Sequence, residues 1–147
     1  MVAKAFSIED GNQQGLTLVG ARKRVYKDVD LTFAKRLDGD VFKKQNAAAV
    51  KQSVKNILMT NYTEKPFQPF FGGNLNDFLF ELNDDFEDEE VEDRIETTLR
   101  TYEPRAEVLD VKVISNPDNY DIAVTVTFKV VSTSEEVTLN LSLTRLR

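Results

Sequence analysis

The chain has 147 residues, 41% hydrophobic and 30% charged, with a formal net charge of −6; this fits one folded domain with a modest core and excludes the composition of a disordered chain. It has no cysteine and no histidine, which excludes disulfides, thiolate nucleophiles, zinc–thiolate sites, Ser-His-Asp and Cys-His catalysis and histidine-ligated metals. The acidic balance argues against nonspecific nucleic-acid binding, which needs lysine and arginine against phosphate.

Residues 1–28 are polar and dotted with Gly11, Gly15 and Gly20. They read as an extended N-terminal arm with one short strand around Leu16–Val19, either a loose terminus or a segment ordered on a partner. Arg22, Lys23, Arg24 and Lys27 make this end basic. The start lacks the apolar core of a signal peptide, and no run is apolar enough for a membrane helix. These features predict a subunit made in a cytosol-like compartment, without membrane contact.

The domain is expected over residues 29–147. Val29, Leu31 and Phe33 alternate with Asp30, Thr32 and Ala34, which predicts a short strand. Asp38-Gly39-Asp40 predicts a turn. Asn46 to Met59 predicts a helix capped by the Asn46 side chain, with Val50, Val54, Ile57 and Leu58 as its apolar stripe. Residues 62–73 contain Pro66, Pro69, Gly72 and Gly73, so they read as a loop. Phe67, Phe70 and Phe71 in that loop must cover either the core or a partner.

Asn74 to Leu82 predicts a short helix, capped by Asn74. After a break over Asn83 to Phe86, Glu87 to Thr101 predicts a second long helix with Val91, Ile95 and Leu99 inward. Its acidic first turns suit the unpaired N–H groups there. Three strands follow. Val108 to Ile114 forms the first, and Asn116 to Asn119 a turn. The second has Tyr120, Ile122, Val124, Val126, Phe128 and Val130 on one face. The third has Val137, Leu139, Leu141 and Leu143 on one face. The expected fold is α+β, with helices packed on a small, mostly antiparallel sheet ending in a three-stranded meander. The last strand reads as an edge open to pairing through its backbone, at Val137, Leu139 and Leu141.

No catalytic constellation emerges, and no cofactor or metal is expected. Glu64 and Glu103 can be imagined as a glycosidase carboxylate pair, but with 25 acidic residues some pair will always look suitable. Arg105 beside Glu103 favours the ionised form, which makes Glu103 a poor acid. Asp38-Gly39-Asp40 lacks the spaced oxygen ligands of a calcium loop. Glu103-Pro104-Arg105 carries more information. Pro104 stops the helix and aims its neighbours. The Arg105 fork then either staples the helix end internally or meets a partner subunit.

In order along the chain stand Val54 to Thr60, Pro69 to Leu75, Leu79 to Glu81 and Tyr102 to Val108, followed by the strand-rich end. This set resembles the baseplate wedge family of contractile phage tails, over roughly Val29 to Leu143. The family's Glu-Pro-Arg motif falls on Glu103, Pro104 and Arg105. One loop departs: the family often reads Gly-Glu-Arg where this chain has Thr63, Glu64 and Lys65. The resemblance implies a structural subunit, not an enzyme, located in the tail baseplate of a virion. It implies larger baseplate wedge proteins and the tail sheath subunit as partners, with sheath assembly begun by strand pairing. An equivalent subunit of a type VI secretion or tail-like machine and a peptidoglycan glycosidase are the alternatives.

Overall fold

The alternation of Ile122, Val124, Val126, Phe128 and Val130 makes one apolar face, and that face becomes the floor of the core. The computed structural model describes residues 25–80, 88–116 and 121–144. Its elements are β1 (Lys27–Val29), β2 (Lys43–Gln45), α1 (Ala47–Met59), α2 (Leu75–Phe80), α3 (Asp88–Tyr102), β3 (Ala106–Asn116), β4 (Asp121–Val130) and β5 (Glu136–Thr144). β1 and β2 form a separate antiparallel pair, and the other three strands form a sheet in the order β3-β4-β5. Both pairings in that sheet are antiparallel. This is the expected α+β fold with its terminal meander.

The helices lie on the apolar face. α1 buries Val50, Val54, Ile57 and Leu58, and α3 buries Val91, Ile95 and Leu99. Leu75, Phe78 and Leu79 of α2 belong to the same buried cluster as Val124, Val126 and Leu139. The opposite face of the sheet carries Thr125, Thr127, Thr138, Asn140 and Ser142 and stays outside the core. A bulge at Leu109 shifts the β3–β4 register between Val108 and Asp110.

Several local expectations need correction. The strand expected through Phe33 ends at Val29. Asp30 turns the chain: its carboxylate accepts from Thr32 N–H at 3.0 Å, and its carbonyl accepts from Phe33 N–H at 3.1 Å. The strand Lys43–Gln45 carries no apolar alternation and was not anticipated; it forms because β1 offers it a partner. Asn46 precedes α1, but its side chain caps nothing; its φ of 47° turns the chain so that its own N–H donates to Tyr26 C=O. Asn74 Oδ1 accepts from Tyr62 N–H at 3.2 Å, so that oxygen ties the loop instead of capping α2.

The expected strand at Leu16–Val19, most of the arm, the end of the short helix at Leu82, the break over Asn83 to Phe86 and most of the Asn116 to Asn119 turn lie outside the described residues. Val25 to Asp28 are described; of these, Tyr26 packs on the core and Asp28 pairs with Arg105.

Candidate partner-binding surfaces

Glu103 follows the last turn of α3, and its N–H still donates to Leu99 C=O at 2.9 Å. Pro104 then breaks the helix and stands exposed. Glu103 itself is 2% exposed. Arg105 grips it with two parallel bonds, Nε to Oε1 at 2.6 Å and Nη2 to Oε2 at 2.8 Å. Ser53 of α1 donates a short bond to the same carboxylate. Arg105 Nη1 reaches Asp28 of β1 at 3.3 Å, and the guanidinium lies over the Tyr26 ring. The Arg105 carbonyl accepts from Val131 N–H just beyond β4.

One ion pair therefore joins α1, α3, β1 and the start of the sheet. Burial opposes the Glu103 charge, but the Arg105 fork and Ser53 outweigh it and lower the carboxyl pKa below its ordinary value. The hydrogen bond to Glu103, against some burial and with help from Asp28, raises the Arg105 pKa. Of the two readings of Glu103-Pro104-Arg105, the internal staple is present in the free chain. Pro104 and the outer part of Arg105 remain on the surface.

The proline loop splits its aromatics. Phe71 is half-buried, 4.9 Å from the Tyr102 ring, with Lys65 Nζ 3.8 Å from its centroid. Phe67 and Phe70 are 103% and 73% exposed. The loop beneath them is held from several sides. Thr63 N–H donates to Pro69 C=O at 2.8 Å, Tyr102 Oη–H donates to Phe70 C=O at 3.0 Å, and Glu64 accepts from the Asn61 backbone and side chain. Gly72, at φ 113°, lets the loop fold back on the end of α1: a Cβ there would sit 2.2 Å from Thr60 O. Phe67 and Phe70 thus project from a tied loop.

The two sheet edges differ. Val130 N–H donates to Glu135 C=O at 2.9 Å. Alternation from that pair places Val137, Leu139 and Leu141 in the bonded positions of the β4–β5 ladder. Thr138, Asn140 and Ser142 therefore point their backbone groups away from β4. Leu139 and Leu141 side chains are buried, Val137 packs on the core, and the backbone groups of all three already bond β4, so the groups open to an incoming strand are those of Thr138, Asn140 and Ser142. Lys51 of α1 donates to Thr138 C=O at 2.8 Å. On the β3 edge, α3 lies alongside, and Glu92 Oε1 accepts from Val113 N–H at 2.8 Å.

Sequence reasoning missed Ser53, Asp28, Lys51 and Glu92. Ser53 was findable: it lies three residues after Val50 and four before Ile57, a polar residue inside an apolar stripe. Asp28 and the two edge contacts are long-range and leave no local pattern.

Residues 44–135 match the family described as baseplate wedge protein gp25. The chain belongs to that family. It is 32% identical over 114 residues to baseplate wedge protein gp25 of Enterobacteria phage T4, covering 78% of this chain and 86% of that protein. Its fold is similar to a chain of the anti-feeding prophage baseplate, with a TM-score of 0.54 and 22% identity, over 82% of this chain and 86% of that one. It is also similar to a Geobacter sulfurreducens tail protein that carries a provisional lysozyme name. There the TM-score is 0.57 at 22% identity, over 67% of this chain and 89% of the other.

The chain is a structural wedge component of a contractile-tail-like baseplate. The two carboxylates considered for glycoside hydrolysis are both engaged in structure, Glu103 in the ion pair and Glu64 in the loop. Among the described residues no group of His, Cys, Asp and Glu is placed to hold a metal ion, and no helix is long and apolar enough to cross a membrane.

Proposed function

We propose that this wedge component docks on larger wedge proteins through Phe67, Phe70 and the Pro104–Arg105 corner, and begins sheath assembly by pairing its β5 backbone with a strand of the tail sheath subunit. The observation that carries this reading is the outward-facing backbone of Thr138, Asn140 and Ser142 on an edge strand. An open edge is a liability in a monomer and a template in an assembly, where backbone bonds give regular docking and side chains set register. Exposed phenylalanines on a tied loop lose little freedom on binding, so they suit anchor positions.

Reconstitution with neighbouring wedge proteins and the sheath subunit, followed by imaging, tests the proposal. A sheath strand lying along β5 is the expected result. A wedge in which another subunit covers β5 removes the sheath role. Arg105→Ala should weaken wedge assembly more than Lys129→Ala, with folding of each variant measured separately. Equal assembly by both removes the Pro104–Arg105 corner from the interface.

A further inference from the structure

A groove of about 330 Å³ runs between α1 and the β5 edge, lined by Lys44, Ala48, Lys51, Lys55, Leu139 and Asn140. Lys51 and Lys55 are one helical turn apart and both exposed. Lys44 is paired with Asp30 at 3.3 Å. Among the described residues, neither Lys51 nor Lys55 has a carboxylate partner; Lys51 instead bonds the carbonyl of Thr138. That carbonyl is one of the outward acceptors an incoming strand needs. The opposite edge has the opposite charge. Glu89, Glu92, Asp93 and Glu96 of α3 line the groove beside Val108 to Val111 of β3.

We propose that the β5 edge receives an extended segment carrying acidic side chains, and that Lys51 leaves the Thr138 carbonyl to bind them. This rests on the reading of β5 as a docking edge and specifies the chemistry that docks there. In the free subunit the Lys51 ammonium satisfies a carbonyl that would otherwise invite any passing strand. When a strand arrives, its N–H takes that acceptor. The displaced ammonium then lies beside the new strand, together with Lys55, and pairs with its carboxylates. A basic strand meets two like charges and gains nothing from displacing Lys51. At β3 the acidic groove repels the same acidic segment, so charge distinguishes the two edges of one sheet.

The test uses the full chain and short synthetic strands of alternating valine and threonine. One strand bears glutamates at its outer positions, one bears lysines, and one is the glutamate strand N-methylated at alternate backbone amides. Fluorescence anisotropy reads their affinities. The glutamate strand should bind about five- to tenfold more tightly than the lysine strand, the scale of two exposed ion pairs. The advantage should shrink as salt rises. Lys51→Glu combined with Lys55→Glu should invert the preference; both sites are exposed, and thermal unfolding checks that the variant stays folded.

Equal affinities, or a preference that survives the charge reversal, overturn the acidic assignment and leave strand docking standing. Undiminished binding of the N-methylated strand overturns strand docking itself. Absence of binding by every strand at millimolar concentration overturns both.

Discussion

Glu92 Oε1 accepts a hydrogen bond from the backbone N–H of Val113 at 2.8 Å, so a side chain of α3 occupies a donor on the β3 edge. The contact spends one carboxylate of an acidic helix face on closing a sheet edge. Without it, that N–H is free to template another strand. Glu92→Ala should cost about 1–2 kcal/mol of stability by leaving a donor unpaired. It should also promote concentration-dependent self-association. Urea unfolding and sedimentation velocity measure the two effects; an unchanged sedimentation profile at high concentration rejects the edge-closing role.

The Glu103 ion pair has a definite pH signature. The folded chain holds this carboxyl below its ordinary pKa, so the unfolded chain takes up the proton first on acidification. The stabilisation is complete above the ordinary glutamate value of about 4.3. It is lost as pH falls through the lowered native value. Glu103→Gln should remove about 2 kcal/mol near neutral pH, the scale of bonds to a charged group. It should also make the acid limb of stability shallower. Unfolding measured from neutral pH downward checks this; parallel acid limbs in the two proteins contradict the assignment.

The arm can be cut at two places with different consequences. Removal of residues 1–24 should leave cooperative unfolding intact. Removal of residues 1–28 also takes Tyr26 and Asp28, the aromatic and the second carboxylate against Arg105. That cut should lower the denaturation midpoint measurably. Identical midpoints for the two truncations would show that β1 adds nothing to the corner.

Phe67 and Phe71 separate binding from folding within one loop. Phe67 is fully exposed, so Phe67→Ala should change stability by less than about 0.5 kcal/mol, as surface substitutions do. Phe71 packs on Tyr102 and under Lys65, so Phe71→Ala should cost about 1–2 kcal/mol. In wedge reconstitution the order reverses, and Phe67→Ala gives the larger defect once only folded protein is compared. A wild-type yield with Phe67→Ala removes that ring from the interface.

Gly72→Ala isolates the loop's seat on α1. The substitution forces a side chain into a left-handed conformation and onto the Thr60 carbonyl. A loss of about 2–4 kcal/mol is expected. Thermal unfolding at wild-type temperature would mean that the loop does not rest on α1 in solution.

What was legible in the sequence was what repeats. The stripe from Val50 to Leu58 and the alternation from Ile122 to Val130 fix their elements because a periodic apolar face must be buried. β2 was hidden because Lys43, Lys44 and Gln45 have no apolar face, and their strand comes from pairing alone. The Asn46 and Asn74 caps failed for separate reasons: the Asn46 backbone is held at φ 47° by Tyr26 and its side-chain oxygen bonds nothing, while the Asn74 oxygen takes the Tyr62 N–H and only its amide nitrogen reaches α2, at Asp77. The Glu103-Pro104-Arg105 corner was legible as a helix stop. Ser53 shows as a polar residue inside the α1 stripe, but its pairing with Glu103 and that of Asp28 with Arg105 leave no spacing to read, since the partners lie fifty or more residues apart.

That separation also bears on how the subunit is made. Asp28 and Ser53 precede Arg105 by 77 and 52 residues, so in an emerging chain both wait for the motif that completes their bonds. Contacts of such long sequence range carry a loop-closure cost that slows folding. The corner therefore joins residues made early to a motif made well after them. A chain interrupted before residue 105 lacks this ion pair together with all of β3, β4 and β5, so α1 and β1 then have neither the staple nor the sheet to rest on.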